Sequence, residues 1–425
     1  MRVLHRSDSL PVQKRGGLME RFGDFVRVNA VWLGTCGLIV FLSSFGQTFF
    51  IAVFAGDIRA DFGLSHAAWG GLYAGATTAS ALVMVFAGSV TDRLRVRHLG
   101  PIVMVGLAVA ALAMSQVTDL WALVITLFLL RFFGQGMMSQ TAMTAVARWF
   151  VASRGRAVSL VTLGFALGEA FLPLGFVALH RVADWRVLWM VVAAILLAMS
   201  PLVYGLLRHE RTPQSFATTG GATGMQGRMW TRKEVLRDPL FWLMIPALLG
   251  PAAWNTAFFF HQVHLGEVKG WGHAGLVMLF PFYTAAGVAA ALTSGWLVDR
   301  IGTARMLPFY LLGLVAGYAV FALAQSPAAG ALALALMGAS VGVHGTMMAT
   351  LWADAFGTRN VGAIRAMLGA IMVLGTAIGP GVTGAMIDAG LDYARQGWGV
   401  AVWFLGAAVL AGFAARRLRA GLSDG

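Results

Sequence analysis

The sequence predicts an all-α membrane protein of twelve transmembrane helices arranged in two six-helix halves. Of its 425 residues, 58% are hydrophobic and only 12% are charged, which is about half the charged share of an ordinary soluble domain. Apolar runs long enough to cross a bilayer core of about 30 Å recur from one end of the chain to the other. Short motifs of the first half also return in the second half at a constant spacing, which indicates an internal duplication.

The predicted spans follow one another with short connections. A helix rises about 1.5 Å per residue, so each span needs roughly 20 predominantly apolar residues. The spans, numbered 1 to 12 in chain order, are 28–55, 67–90, 101–117, 121–147, 157–179, 187–207, 239–265, 273–298, 306–324, 328–352, 366–389 and 398–415.

The domain organisation follows from these spans. A basic tail, 1–27, precedes span 1, whose apolar run is too long for a cleaved signal peptide. The first six-helix bundle covers 28–207, and a polar loop at 208–238, rich in Gly, Ser and Thr, separates it from the second bundle at 239–415 and a tail at 416–425. The single cysteine, Cys36, lies in span 1, so no intramolecular disulfide can form.

The placement of the basic residues predicts the orientation in the membrane. A net charge of +13 would suggest nucleic acid binding in a soluble protein. Here, however, 25 of the 31 Lys and Arg residues lie in the two tails and in the loops after spans 2, 4, 6, 8 and 10. The opposite loops hold five, namely Arg59, Arg181, Arg186, Lys269 and Arg395. The positive-inside rule therefore predicts a cell (inner) membrane protein with both termini in the cytoplasm, and a lipid bilayer rather than nucleic acid as its partner.

Four features of the first half recur 207 residues later. Asp92-Arg93 after span 2 returns as Asp299-Arg300 after span 8, and Gly155, Gly168 and Pro173 return as Gly362, Gly375 and Pro380. Each pair lies at the same point of its half, which indicates a duplication. Paired halves are common in secondary carriers, which rock one bundle against the other around a site near the membrane midplane.

Several of these segments resemble the major facilitator superfamily. The loop motif of this family is similar to Gly88-Ser-Val-Thr-Asp92-Arg93 and to Gly295-Trp-Leu-Val-Asp299-Arg300, which continues to Arg305; the first copy has Arg95 where the family usually has glycine. Also similar are Arg131-Phe-Phe-Gly134-Gln-Gly136 in span 4 and Gly375-Thr-Ala-Ile-Gly379-Pro380-Gly381 in span 11. Phe260-His261-Gln262 and Gly362-Ala-Ile-Arg365 resemble bacterial members near the monocarboxylate-porter and oxalate/formate branches.

The loop motif is typical of a cytoplasmic gate. Glycine at the end of span 2 or span 8 would let a neighbouring helix approach closely, and the aspartate that follows would cap or pair with a facing helix end. The gate residues predicted in this way are Gly88, Asp92, Arg93, Gly295, Asp299, Arg300 and Arg305. The alternative is that these charges are solvated loop residues that serve only the topology.

Two charged residues lie in the cores of neighbouring spans. Arg131 is about 15 Å from the outer end of span 4, and Glu169 is about 18 Å from the inner end of span 5. Charge within a bilayer costs several kcal/mol unless it is paired or hydrated. We therefore expect the two residues to form an ion pair beside a central cavity, either as a fixed structural pair or as a pair that binds an anion or couples transport to protons.

Five weaker candidates are polar side chains within spans. Each could face the cavity, or could make an interhelical hydrogen bond instead. They are Gln47, Asn255, His261, Tyr283 and His344. His261 and His264 lack an accompanying carboxylate or cysteine, so we expect no metal, and no phosphate-binding loop indicates ATP or another cofactor.

The predicted function is secondary active transport by alternating access. Arg131 and the branch resemblance favour a small organic anion, such as a monocarboxylate moved in symport with a proton. The monocarboxylate porters, however, carry a lysine in span 1 and an arginine in span 8, and neither span has a basic residue in its core here. An exporter or carrier of neutral or amphiphilic compounds, and a non-transporting sensor with the same fold, are the alternatives.

The charge distribution makes the first prediction: both tails and the 208–238 loop face the cytoplasm. Reporter fusions at residues 15, 218 and 425 should all report a cytoplasmic location, and a fusion in the loop between spans 5 and 6 should report the opposite side. A carboxyl terminus outside the cytoplasm would contradict the prediction.

Overall fold

The computed structural model describes residues 18–87, 90, 94–150, 153–208, 223–357 and 360–423, and every regular element within them is helical. Ten helical stretches of these residues are long and apolar enough to cross a membrane. His66–Ala87 and Leu312–Leu323 bring the spans to twelve and confirm the predicted fold.

Spans 1 to 6 form the first half. Span 1 is helical over Leu18–Leu42 and then breaks into the short segments Ser43–Gly46, Thr48–Ile51 and Ala52–Phe54. Spans 2, 3, 5 and 6 are His66–Ala87, Val96–Ser115, Arg154–Leu179 and Trp185–Leu206. Span 4 consists of Leu120–Leu130, the π-helical stretch Arg131–Met138, and Ser139–Trp149.

Spans 7 to 12 form the second half. Span 7 consists of Pro239–Gly250, the π-helical stretch Pro251–Asn255, and Thr256–Phe260. Spans 8 to 12 are Phe280–Ile301, Leu312–Leu323, Pro327–Phe356, Val361–Asp388 and Tyr393–Ser423. The helices of spans 1 and 12 extend beyond the predicted limits, because those limits followed the apolar residues and the helices continue into charged sequence at 18–27 and 416–423.

Small residues set the spacing between helices. A methyl group on Gly164 in span 5 would collide with the Gly37 carbonyl oxygen in span 1, so glycine is what allows these backbones to approach. The repeated glycines occupy equivalent places in the two halves: a side chain at Gly168 would meet Ser44 in span 1, and one at Gly375 would meet Ala252 in span 7. The duplicated sequence positions therefore have duplicated packing roles.

The two halves contact each other near the end of the bundle opposite the termini. Gln262 Nε2 in the second half donates to the Phe49 carbonyl oxygen in the first half at 2.8 Å. The Asp388 carboxylate at the end of span 11 accepts hydrogen bonds from the backbone nitrogens of His66, at 3.0 Å, and Ala67, at 2.7 Å. We call these contacts, together with the close approach of Gly70 to the Pro380 carbonyl oxygen, the seam.

The spacing of spans 1 and 5 gives the second prediction. Gly164→Ala should destabilise the protein by about 1–3 kcal/mol, because overpacking forces the helices apart. Gly175→Ala is the matched control, since a methyl group at Gly175 in the same helix would meet nothing within 4 Å. Thermal unfolding in detergent should show a lower midpoint for Gly164→Ala only; equal midpoints would contradict the packing role.

Candidate substrate site

The site is built where span 4 meets the break in span 1. The π-helical stretch begins at Arg131, and such stretches frequently mark functional sites. A Cβ on Gly134 would lie only 2.5 Å from the Gly46 Cα, so these two glycines let the helices touch through their backbones. This contact brings Arg131 Nη1 to 3.2 Å from the Gly46 carbonyl oxygen, to which it donates.

Arg131 is a buried cation with unused donors. Its side chain is 1% exposed, and its guanidinium carbon lies 5.2 Å from the centre of the Tyr73 ring, a cation–π contact. The Nε and Nη2 groups have no hydrogen-bond partner in the described part of the chain. A desolvated guanidinium normally acquires a counterion or a full set of hydrogen bonds, so this group is suited to receive an anion.

A cavity of about 580 Å³ borders Arg131 between spans 2, 4 and 11. We call it the anion cavity. It lies nearer the termini than the seam does, because its span 2 residues follow His66 and its span 11 residues precede Asp388. One wall carries hydroxyl and amide groups, of which the Thr77 hydroxyl has no hydrogen-bond partner; these residues are Thr77, Thr78, Ser80, Gln135, Ser139 and Gln140.

The predicted ion pair between Arg131 and Glu169 is wrong. Glu169 Oε2 accepts a hydrogen bond from the hydroxyl of Thr284, in span 8 of the other half, at 3.3 Å. Arg131 faces spans 1 and 2 instead, through Gly46 and Tyr73. The sequence predicts a similar depth for both residues, but they lie on helix faces that point to different neighbours.

Two of the weaker candidates make hydrogen bonds within the second half. Asn255 Oδ1 accepts from the Tyr318 hydroxyl at 2.9 Å. His261 Nε2 lies 3.0 Å from Thr383 Oγ1 and 3.2 Å from the Pro380 carbonyl oxygen. Neither residue lines the anion cavity. Their contacts match the alternative of interhelical hydrogen bonding.

The remaining candidates are also buried away from the anion cavity. Gln47 lies in the break of span 1, where its extended backbone precedes the segment Thr48–Ile51. The Tyr283 ring packs on Phe259 with centroids 5.1 Å apart. His344 stacks on Tyr310 at 5.7 Å, and neither of its ring nitrogens has a hydrogen-bond partner.

The predicted gate is described only in its second copy. Gly88, Asp92 and Arg93 lie outside the described residues. In the second copy, no neighbouring atom of the described residues lies within 4 Å of a Cβ built on Gly295, so the part of the chain that the structure describes does not show the predicted close helix approach there. Asp299, Arg300 and Arg305 are exposed, and the Arg300 guanidinium lies 5.1 Å from the Trp296 ring centre.

The two loop copies also differ in backbone geometry. Gly302 follows span 8 with φ of 84°, which glycine adopts readily. Its counterpart Arg95 has φ of −69°. Where the first copy has Arg95 in place of glycine, the backbone therefore adopts an ordinary extended conformation that does not require glycine.

Sequence reasoning missed the polar wall of the anion cavity. Gln135 follows Arg131 by one helical turn, and this spacing could have indicated a shared face. Thr77 and Ser80 carried no comparable signal, because hydroxyls are common in membrane helices. Among the described residues, no group of three or more His, Cys, Asp or Glu residues could hold a metal ion.

The separation of Arg131 from Glu169 gives the third prediction. In a double-mutant cycle, the changes in thermal midpoint caused by Arg131→Met and Glu169→Gln should add, because residues without shared partners seldom couple. The detergent-purified variants without substrate provide the measurement. A double variant more stable than the sum of the single changes would show that the two charges do pair.

Comparisons with known proteins agree with this architecture. The model of the Major Facilitator Superfamily matches residues 36–380 and, in a second overlapping match, 282–421. No curated protein sequence matches the chain.

Solved transporters share the fold. A bacterial homologue of the human lysosomal transporter Spinster, inward-facing and unoccupied, has a TM-score of 0.72 at 16% identity, with 92% of this chain and 98% of that chain covered. The inward-facing, occupied form of that homologue has a TM-score of 0.64 at 15% identity, with coverage of 95% and 96%. A mutant of the nucleoside transporter NupG has a TM-score of 0.65 at 14% identity, with coverage of 91% and 99%. With the family match spanning most of its length, this chain belongs to the Major Facilitator Superfamily of transporters.

Proposed function

We propose that this protein is a secondary carrier of an organic anion, and that Arg131 is the group that binds the anion. The observation that carries the proposal is the guanidinium itself: it is buried beside a cavity of about 580 Å³ and two of its donor groups have no partner. A carboxylate can accept two parallel hydrogen bonds from such a group. The Thr77 hydroxyl would supply a further donor.

Alternating access would follow from the position of the seam. The seam closes the bundle at the end opposite the termini, and the anion cavity lies on the terminal side of it. Under the predicted orientation, the anion would enter this conformation from the cytoplasm. Opening the other side would require the loss of the Asp388 and Gln262 contacts, while the exposed loop residues Asp299 and Arg300 would form the opposing gate.

Proton coupling is assigned to Glu169. This carboxylate bridges spans 5 and 8 through Thr284, so a change in its charge would alter a contact between the halves. Protonation turns one carboxylate oxygen from an acceptor into a donor. The separation of Glu169 from Arg131 leaves substrate binding and proton binding on different groups, a division that suits symport.

The fourth prediction concerns Arg131. Arg131→Lys should lower the uptake of carboxylates into proteoliposomes at least tenfold, because an ammonium is a point charge without the planar fork that matches a carboxylate. Arg131→Gln should lower it further. Arg395→Lys is the control, since Arg395 pairs with Asp392 three residues away. Uptake by Arg131→Gln at the rate of the unmodified protein would refute the proposal, and no uptake by any form would favour a sensor.

The fifth prediction concerns the seam. Asp388→Ala removes the cap from the first backbone N–H groups of span 2, a loss of about 0.5–2 kcal/mol, and should shift the population toward opening at that end. Distances between spin labels at residues 64 and 391 should lengthen in a larger fraction of molecules.

Asp392→Ala is the matched control for that shift. Asp392 caps the start of span 12 by accepting from the Arg395 backbone nitrogen at 2.9 Å, entirely within the second half. Its loss should leave the distance distribution unchanged. Equal effects of the two variants would show that Asp388 acts on local helix stability only.

A further inference from the structure

We infer that the transported anion is an amphiphile, with a carboxylate head at Arg131 and an unbranched aliphatic chain along the apolar side chains that line the anion cavity. This inference rests on the proposed function and specifies its substrate class. It follows from the composition of the two walls, the volume between them and the exposure of the apolar side chains.

The anion cavity has one polar and one aliphatic wall. Arg131, Gln135 and Thr77 stand on the polar side. Span 11 contributes only apolar residues to the lining, of which Val373 and Leu374 are the largest, and span 2 adds Leu82. We call these three side chains the aliphatic wall. A molecule that occupies the whole cavity must therefore be charged at one end and apolar at the other.

The volume of the anion cavity favours a ligand larger than an acid of two or three carbons. Cavities of about 300–1,000 Å³ enclose ligands of drug size, and the anion cavity, at about 580 Å³, lies within this range. An acid of two or three carbons would occupy the surroundings of Arg131 and leave the aliphatic wall against water. A chain of six to ten carbons would cover that wall.

The aliphatic wall is uncovered in this conformation. Leu82 is 63% exposed and Leu374 is 47% exposed, whereas Leu130, which immediately precedes Arg131, is fully buried. Where such apolar surface faces the water of the cavity, free energy is gained when a ligand covers it. Each methylene buried corresponds to about 0.8 kcal/mol, so affinity should rise about fourfold for each carbon added to the chain.

Competition by straight-chain carboxylates tests the inference. Inhibition of labelled octanoate uptake into proteoliposomes should strengthen about fourfold per methylene from acetate to octanoate, and primary alcohols of equal length should inhibit far more weakly. Equal potency of acids of all lengths, with Arg131→Gln still abolishing uptake, would overturn the amphiphile and leave the anion carrier intact. Alcohols as potent as acids would instead refute the anion site.

Substitutions separate the cavity from partition into the bilayer. Leu374→Ser and Leu82→Ser should reduce the increase in inhibitory potency per methylene at least twofold. Inhibition by acetate should stay unchanged. Met372→Ser is the matched control, because Met372 is also exposed on span 11 but does not line the cavity. If inhibitory potency rises by the same factor per methylene in all these variants, chain length acts through partition of the acids into the bilayer. That result would overturn the inference.

Discussion

The architecture of the site depends on a buried cation, Arg131, for which the described residues provide no counterion. Arg131 reaches its position because Gly46 and Gly134 allow spans 1 and 4 to touch, and it is held there by one carbonyl oxygen and the face of Tyr73. These contacts orient the guanidinium but leave its charge uncompensated, which is costly in a low-dielectric interior. An anion that completes the hydrogen bonds would recover this cost, which is why we propose that the site serves ligand binding rather than stability.

Substrate binding and closure of the bundle use the same two helices. Spans 2 and 11 carry seam residues at one end, including Gly70 and Asp388, and the walls of the anion cavity further along. A helix transmits displacement along its axis, because its backbone hydrogen bonds make it stiff. A ligand that draws Leu374 toward span 4 would thus act on the Asp388 contact without any separate relay. We propose that substrate binding and the seam contacts both shift the equilibrium of the same two-state element.

The sequence predicts depth in the membrane but not direction around a helix. Counting residues from the span ends placed Arg131 and Glu169 near the midplane, yet the face that each presents depends on the packing of Gly46 against Gly134 and of span 5 against span 8. Asn255 and His261 make their hydrogen bonds within the second half for the same reason.

The sequence did not identify Asp388 and Gln262 as contacts between the halves, because their partners are backbone groups, which any sequence supplies. The twelve spans could be predicted because length and hydropathy are properties of the chain alone.

The duplicated halves share packing but not charge, and this asymmetry constrains the transport cycle. The position 207 residues after Arg131 is Gly338, which packs against the Tyr283 backbone, and the counterpart of Glu169 is Thr376, which donates to the Val373 carbonyl oxygen. In the proposed mechanism, the anion head would therefore be held by the first half alone. Contacts that stay within one rigid half contribute equally to both states of the carrier, and a ligand with equal affinity for two states shifts neither. Any preference of the bound carrier for one state must then come from what the ligand touches on the second half, namely the aliphatic wall of span 11. Arg131 would set how tightly the substrate binds, and the chain against Val373 and Leu374 would set which way the carrier faces.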